Sequence, residues 1–253
     1  MRLIRISERD TASLERLRDF SARTALPQPQ SYKNRVVVKP WGYEFLVYQN
    51  NEVAVWFLHI KKGHSTSMHC HPTKKTALIV LSGQALCNTF YNRNYLNGID
   101  SVVIEKGVFH STQCLSSSGA DIIEIETPPN KTDLVRLNDQ YGRESAGYEG
   151  MSEMKVDGLE RYGYFAFDED AREGAHSTSK YELSLLSCPP QSDPGSFFSM
   201  SRDEVLVSCS GRICEAQGNV VIDVGDATEG AFLTTFEKLS IPEPALFLRA
   251  RPR

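Results

Sequence analysis

Short apolar stretches that are broken by turn residues recur along most of the chain. One set precedes residue 130: Arg35–Val38, Tyr43–Tyr48, Val53–Ile60, Ala77–Leu81, Ala85–Tyr91, Ser101–Glu105 and Asp121–Thr127. A second set follows residue 160: Tyr162–Phe167, Tyr181–Ser187, Glu204–Ser208, Gly211–Glu215, Val220–Val224, Ala231–Phe236 and Ala245–Ala250. No helix-length periodic segment separates the stretches within either set. The pattern predicts an all-β chain of sandwiches or barrels rather than alternating strands and helices.

The N-terminal region and the middle of the chain depart from this pattern. Glu8–Ala22 sets leucines and a phenylalanine among charges, which predicts a short amphipathic helix. The stretch 131–158 is polar and rich in glycine turns, and runs 77–83 and 205–211 are both β-stretches that end in Ser-Gly. The predicted units are an N-terminal segment (1–34), a first barrel (35–145), a linker (146–160) and a second barrel (161–253).

The composition is that of an ordinary globular protein with a mild negative charge. The 253 residues include 28 Lys+Arg and 32 Asp+Glu, for a net charge of −4. A nucleic-acid or anionic-membrane surface would need clustered basic residues, so we expect neither partner. The longest apolar run, Val53–Leu58, is far shorter than the ~20 residues that span a bilayer. The six cysteines form no CxxC pair and the N-terminus has no signal-like apolar core, so we expect a reduced, cytoplasmic protein.

Histidines are concentrated in one part of the sequence. Four of the six lie between residues 59 and 71, and His110 follows. If His69-Cys70-His71 belongs to a strand, both imidazoles lie on one face. Two neutral imidazoles, joined by a third from another strand, form a cap for a divalent transition metal. The alternative is a pair of exposed histidines on a polar strand.

The spacing around these histidines follows a two-part motif. Its matching positions are Gly63, His69, His71, Gly83, Gly107 and His110. The motif resembles the cupin signature, G-x5-H-x-H-x3–4-E-x6-G followed by P-x-G-x2-H, with Thr76 in place of the glutamate and Glu105 in place of the proline. The resemblance implies two tandem cupin barrels of the double-stranded β-helix (jelly-roll) type. It also implies one divalent transition metal, Fe, Zn, Mn or Ni, held by His69, His71 and His110.

Both ends of the first predicted barrel carry further motifs. Val38–Glu44 (VKPWGYE) opens it and Thr132–Arg143 (TDLVRLNDQYGR) closes it. Over about residues 36–144 the chain is similar to the cupin domain of type II mannose-6-phosphate isomerases, which implies ancestry among sugar-handling cupins. Lys39–Gly42 alternatively serves as a rigid strand entry with an aromatic plug.

Three carboxylates are candidates for proton transfer beside the metal: Glu124, Glu126 and Glu105. Glu124 and Glu126 alternate with isoleucines and share one strand face. If that face is inward, either can act as a general base or replace the missing ligand; if outward, both are solvated charges. Two lysine pairs, Lys61-Lys62 and Lys74-Lys75, attract an anionic substrate or serve solubility.

The second predicted barrel lacks the histidine motif. Glu204 stands at the place of the cupin glutamate, no paired histidines precede it, and His176 is alone. We expect a degenerate barrel that packs on the first one or forms a homodimer surface. For the chain we predict metal-dependent isomerisation or epimerisation of a small sugar or sugar-phosphate-like substrate. The alternatives are an Fe(II) dioxygenase with three histidine ligands and a non-catalytic metabolite-binding cupin.

Overall fold

Most regular structure in the chain is β-strand. The computed structural model describes residues 1–21, 27–143 and 148–253. The elements up to residue 155 are β1 (Leu3–Ile4), α1 (Glu8–Ser21), β2 (Val36–Lys39), β3 (Gly42–Gln49), β4 (Ala54–Ile60), β5 (Met68–Cys70), β6 (Lys75–Ser82), β7 (Ala85–Thr89), β8 (Arg93–Leu96), β9 (Ser101–Ile104), β10 (His110–Cys114), β11 (Ala120–Thr127), β12 (Val135–Asn138) and β13 (Met154–Lys155). The later elements are β14 (Glu173–Ser177), β15 (Tyr181–Cys188), β16 (Val205–Ser210), β17 (Ile213–Glu215), β18 (Val220–Ile222), β19 (Ala227–Glu229), α2 (Gly230–Leu233), β20 (Leu239–Ser240) and β21 (Ala245–Pro252). The predicted all-β class is confirmed.

Two sheets form the first barrel. One has eight strands in the order β1-β9-β6-β11-β4-β3-β2-β13, and the other has five in the order β12-β5-β10-β7-β8. Successive side chains of a strand point to opposite faces, and those on the inner face of the larger sheet, such as Trp56, Leu58 and Ile122, fill the barrel. Strand β1 runs parallel to β9, and β13 pairs with β2. Segments before and after the barrel therefore extend its larger sheet at both edges.

The second barrel is smaller and has an apolar interior. Its sheets have the orders β14-β15-β21-β16-β19 and β18-β17-β20. Its core side chains include Cys188, Phe198, Leu206, Ile213, Ile222, Leu233, Ile241 and Phe247. The two units are tandem barrels of the double-stranded β-helix type, as the resemblance implied.

The barrels pack against each other sheet to sheet. Val55, Phe57 and Ile123, on the outer face of the eight-stranded sheet, belong to one apolar cluster with Leu185 and Leu248 of the second barrel. Strand β4 is apolar at nearly every position because one of its faces lines the first barrel and the other contacts the second. The expectation that the second barrel packs on the first agrees with this contact.

Polar and steric contacts fix one edge of this interface. Lys75 Nζ lies 2.6 Å from Asp226 Oδ1. A Cβ on Gly225 would lie 2.0 Å from Thr127 Oγ1, so a larger residue would force the two barrels apart there. Lys75 and Thr127 belong to β6 and β11, whose inner faces carry polar residues of the first barrel. The second barrel therefore braces the outer side of these two strands.

Two predicted strands have other structures. Ala231–Phe236 is wrong as a strand, because Gly230–Leu233 forms the short helix α2. Tyr162–Phe167 begins at the last residue of a single 3-10 turn, Leu159–Tyr162, whose flanking glycines adopt left-handed φ angles of 66° and 63°. Its aromatic rings pack on the interface between the barrels instead of joining a sheet. The apolar composition of these stretches indicates that they pack against the core. Their backbone conformation, however, is determined by the neighbouring glycines and by local contacts.

The predicted N-terminal helix is present as α1. Leu14 and Leu17 of this helix pack on a small cluster that contains Phe109. Its predicted end at Ala22 and the predicted boundary between residues 145 and 146 lie outside the described residues. In the described part of the chain, neither helix is long and apolar enough to cross a bilayer.

Candidate metal centre

Three histidines meet inside the first barrel. His69 on β5 and His110 on β10 are directly opposite each other across two antiparallel strands, and His71 follows two residues after His69. The ring centroid of His69 lies 4.5 Å from the ring centroid of His110 and 4.9 Å from that of His71. One ring nitrogen of each histidine lies within 4.8 Å of the other two. The structure therefore brings together the three ligands that the sequence predicted.

Backbone carbonyls set the tautomer of all three rings. The Nδ1 atoms of His69, His71 and His110 donate to main-chain oxygens at 2.8, 2.6 and 3.0 Å. A carbonyl oxygen can only accept, so each Nδ1 carries the hydrogen and each Nε2 keeps its lone pair. A neutral imidazole held in this way is oriented to bind a metal through Nε2.

Burial favours the neutral form of His69 and His110, and one ring nitrogen of His71 is left without a hydrogen-bond partner among the described residues. Desolvation, followed by the neighbouring imidazoles, lowers the pKa of His69 well below its usual value and that of His110 to about 4. Nε2 of His71 is buried and has no hydrogen-bond partner among the described residues. Such an atom is costly unless something binds it. Three imidazole nitrogens suit Fe, Zn, Mn or Ni, so the residues present fit the predicted ion.

Two of the three candidate carboxylates point into the barrel. Glu124 and Glu126 on β11 are 9% and 1% exposed. Ile125 between them packs toward the second barrel, so strand alternation turns both glutamates inward. Oε1 of Glu124 lies 3.7 Å from Nε2 of His71. The alternative of solvated, outward carboxylates is wrong for this strand.

Glu105 is not brought to the site. It follows β9 and is only partly buried, and its carboxylate accepts a hydrogen bond from the backbone nitrogen of Ile6 at 3.1 Å. It is absent from the residues that line the histidine cavity. Its position beside the N-terminal segment means that it fastens this segment to the barrel and does not face the histidines.

Paired charges occupy the rest of the interior beside the histidines. This set, called the charged wall below, comprises Lys39, Glu44, Lys74, Glu126, Lys131, Arg136, Arg143 and Glu149. Lys74 Nζ lies 2.8 Å from Oε1 of Glu126. Lys131 Nζ lies 3.2 Å from the same oxygen and 3.0 Å from Glu44. One carboxylate oxygen of Glu126 is therefore shared by two lysines.

Glu149 forms ion pairs with the remaining cations of the charged wall. Lys39 and Arg143 both pair with it, and Arg136 lies 3.4 Å from it. Burial raises the pKa of Glu149, but Lys39 and Arg136 outweigh burial and hold this pKa at about 2. The side chain of Lys39 is thus engaged in a buried ion pair, which adds an electrostatic role to the rigid strand entry.

Sequence reasoning misjudged one lysine of the wall and missed another. The sequence leaves Lys74 either as an attractor of an anionic substrate or as an exposed, solubilising charge, yet Lys74 is 1% exposed and paired with a carboxylate, so the exposed alternative is wrong. Lys131 was not singled out, although its ammonium lies 3.6 Å from the centroid of Trp56. Burial lowers the pKa of Lys131, but Glu126 and Glu44 outweigh this and raise it above its usual value. No sequence pattern marks this residue, because it lies in a turn and its partners come from distant strands.

The cavity between the histidines and the charged wall is small. It measures about 50 Å³, and its apolar lining includes Trp41, Leu58 and Leu134. One water molecule needs ~10–15 Å³ of such space, so the cavity is large enough for an ion and a few ligand atoms. A larger substrate would place only its reacting end there.

Thr76 also faces the interior but contributes no charge. It is 1% exposed on β6, directly opposite Glu126 on β11. Its hydroxyl has no hydrogen-bond partner among the described residues. In the described part of the chain, the side chains whose ligand atoms converge within 4.8 Å are histidines alone. The carboxylate nearest to them is on β11 instead of β6.

The architecture is a tandem of two double-stranded β-helix barrels, and the first of them encloses the buried histidine cluster. Residues 28–139 match the family model described as mannose-6-phosphate isomerase C-terminal. This segment includes both flanking motifs through residue 139, so the resemblance stated from the sequence is confirmed. Less than half of the chain is covered by the match.

Curated relatives and solved structures resemble the chain only distantly. Mannose-1-phosphate guanylyltransferase of Klebsiella pneumoniae is 27% identical over 119 residues, which cover 46% of this chain and 25% of that protein. The Escherichia coli enzyme of the same name is 28% identical over 122 residues, with the same coverage. The chain thus matches about a quarter of these relatives' length. Oxalate decarboxylase of Lactobacillus farciminis has a TM-score of 0.41 and 12% identity, covering 90% of this chain and 86% of its own.

Proposed function

We propose that the chain is a metal-dependent cupin enzyme of the isomerase or epimerase type, acting on a small sugar or sugar-phosphate-like substrate. The observation that carries the proposal is the convergence of three lone-pair nitrogens, from His69, His71 and His110, beside the carboxylate of Glu124. The match of residues 28–139 to an isomerase-derived domain supports the substrate class. One ion of Fe, Zn, Mn or Ni would be held by the three histidines.

Glu124 is the proposed proton acceptor. Burial raises its pKa, but the adjacent His71 side chain and the charge of Lys131 outweigh burial and hold this pKa below its usual value. The carboxylate is therefore ionised at neutral pH and can receive a proton. A carboxylate of low pKa is a weak base, so the carbon acid must be made more acidic. The bound metal would supply this by polarising the substrate carbonyl and its adjacent hydroxyl.

Glu126 has a different role from Glu124. Its Oε1 is shared by Lys74 and Lys131, so it serves as their counter-ion and keeps both ammonium groups in place. Fixed cations at this position stabilise negative charge that develops on a substrate in the adjacent cavity. Trp41 and Leu58 contribute apolar side chains to the lining of the same cavity.

Proton abstraction is tested by isotope exchange. In D2O, metal-loaded protein should incorporate deuterium at the carbon next to the carbonyl of an aldose or aldose phosphate, as followed by NMR. Glu124→Gln should keep its metal and lose at least about 100-fold of the exchange rate, because it removes the general base. Glu105→Gln, whose carboxylate lies outside the cavity, is the matched control and should exchange normally. Equal exchange in both variants would contradict the role of Glu124.

An Fe(II) dioxygenase is the second candidate, and one observation favours it. The converging ligand set contains histidines and no carboxylate among the described residues. Such a set leaves several coordination positions for other ligands. Oxygen uptake by the iron-loaded protein, without isotope exchange in any metal form, would support this candidate over the isomerase. Absence of both activities together with absence of bound metal would favour a metabolite-binding role.

A further inference from the structure

The N-terminal segment lies against the turn that leads into His110. The backbone nitrogen of Ile6 donates to the Glu105 carboxylate, and a Cβ on Gly107 would lie 2.8 Å from Cδ1 of Ile6. Gly107 in turn donates from its backbone nitrogen to the main-chain oxygen of His71 at 2.8 Å. The turn between β9 and β10 is therefore held between the N-terminal segment and the histidine cluster.

Asp10 connects helix α1 with this turn through both of its carboxylate oxygens. Oδ2 accepts a hydrogen bond from the backbone nitrogen of Ser7 at 2.9 Å, and Ser7 Oγ accepts one from the backbone nitrogen of Asp10 at 3.3 Å. This reciprocal pattern is that of a capping box at the start of a helix. Oδ1 accepts from the backbone nitrogen of Phe109 at 2.8 Å, and Asp10 is only 3% exposed. One buried carboxylate thus caps the helix and also binds the residue before His110.

The peptide unit between Val108 and Phe109 has a hydrogen bond at each end. Its N–H donates to Asp10, and its carbonyl, the main-chain oxygen of Val108, accepts from Nδ1 of His110 at 3.0 Å. A peptide unit is planar, so fixing the direction of its N–H also fixes the direction of its carbonyl. Consecutive hydrogen bonds in a protein interior polarise one another, so the carboxylate also strengthens the bond to the imidazole. Asp10 therefore acts on His110 through a single peptide unit.

We propose that Asp10 is a positioning residue for His110, the ligand contributed by β10. Through the peptide unit it holds the imidazole in the orientation that leaves Nε2 available to the ion, and it makes that nitrogen a stronger donor. This inference rests on the metal centre proposed above. Groups that orient a ligating histidine usually change metal affinity by roughly 10–100-fold. Asp10 lies outside the segment 28–139 that matches the family model, so this support comes from the N-terminal segment.

His71 provides an internal comparison. Its Nδ1 donates to the main-chain oxygen of Asp133 at 2.6 Å, and the N–H of that peptide unit, which belongs to Leu134, donates to the main-chain oxygen of Thr132 at 2.9 Å. This peptide unit ends on a neutral carbonyl, whereas the one that serves His110 ends on a carboxylate. Hydrogen bonds to an ionised acceptor are about twice as strong as neutral ones. Removal of the carboxylate should therefore alter the ring of His110 and leave that of His71 unaltered.

NMR of the imidazole groups tests the inference without any measurement of activity. The spectrum of the ¹⁵N-labelled full chain is recorded with and without zinc, and each Nδ1–H signal is assigned through the bonds of its own ring. Asp10→Ala should move the His110 signal upfield, because its hydrogen bond to the carbonyl weakens, and should leave the His71 signal in place. Ser7→Ala is the matched control. It removes the capping hydroxyl but keeps the carboxylate, so the His110 signal should not move.

Zinc affinity, measured by competition with a chromophoric chelator, is the second readout. Asp10→Ala should weaken zinc binding about tenfold. Asp10→Asn keeps the side-chain volume and one neutral acceptor, so it should weaken zinc binding less and also shift the His110 signal less. It provides both readouts if the alanine variant folds poorly. Ser7→Ala should leave zinc affinity unchanged.

The inference is overturned if the His110 signal is unmoved in the Asp10 variants or if the His71 signal moves equally. It is also overturned if Ser7→Ala weakens zinc binding as much as Asp10→Ala, because helix capping alone would then explain the loss. Absence of isotope exchange in the unchanged protein, with these NMR and zinc effects present, would contradict the isomerase proposal and support the role of Asp10.

Discussion

The interiors of the two barrels differ far more than their folds. The first encloses three histidines, Glu124 and the charged wall, whereas the second is filled mainly by Leu, Ile and Phe side chains. Each interior lies between two β-sheets. A cupin barrel therefore does not need its polar centre in order to fold, and the buried charges of the first barrel call for a functional explanation.

The comparison is sharpest at one equivalent strand position. Thr76 and Glu204 stand the same distance before the Ser-Gly turns at Gly83 and Gly211. The barrel with the histidines has a threonine at this position, and the barrel with the carboxylate has no paired histidines before it. Glu204 is 1% exposed and accepts a hydrogen bond from the backbone of Ser199 at 2.8 Å. Its carboxylate thus has a structural role in the second barrel.

The histidines should give the largest difference between the barrels. Changing His69, His71 or His110 singly to Ala should lower metal affinity by more than about 100-fold, since even groups that only support a ligand are worth 10–100-fold. His176→Ala, in the second barrel, and His64→Ala should leave metal content unchanged. Mass-spectrometric metal analysis of the purified variants would measure this. A stoichiometry near two ions per chain would mean that the second barrel also binds metal.

Removing one buried charge should destabilise the first barrel strongly. Lys74→Met leaves Glu126 with one lysine in place of two, and should lower the free energy of unfolding by about 3 kcal/mol. The control in the second barrel is Arg212→Ala, which breaks an exposed pair with Glu243 and should change it by less than about 1 kcal/mol. Urea titration would measure both. Similar losses would show that burial of the pair contributes little.

The loss of folding stability at low pH should also arise mainly from the first barrel. The pKa of Glu149 is about 2 in the folded chain, below its ordinary value of 4.5. A depressed carboxyl pKa stabilises the fold above about pH 4.5, and this contribution, about 3 kcal/mol, is lost as the pH falls toward 2. Glu149→Gln should therefore be less stable at neutral pH and show a shallower decline of stability in acid. Glu243→Gln, an exposed site in the second barrel, should retain the original slope.

Restoring the missing carboxylate should have the smallest effect on metal content. Thr76→Glu is expected to keep or tighten metal binding, because the new side chain faces the histidine-bearing interior. Turnover should fall, since the added carboxylate would occupy a coordination position needed by substrate. Metal affinity and isotope exchange, measured on the same preparation, separate the two effects. Increased turnover would indicate that Thr76 marks a decayed site and would favour the binding role.

The sequence by itself determined the fold class and the histidine trio. Strand alternation and turn residues are local signals, and a fixed spacing places His69 and His71 on one face wherever that strand lies. His110 was found because the cupin-like motif carries its spacing from a glycine turn. These features depend on residues close together in the chain, so their pattern is visible without coordinates.

Only the tertiary structure decided which charged residues face the cavity. Alternation shows that Glu124 and Glu126 share a face, but the second barrel, packed against Ile123 and Ile125, determines that this face is inward. Lys74 and Lys131 are indistinguishable from surface lysines in sequence, because a lysine is stable in the interior only when carboxylates from other strands reach it. Their partners are brought together by sheet pairing between residues far apart in the chain.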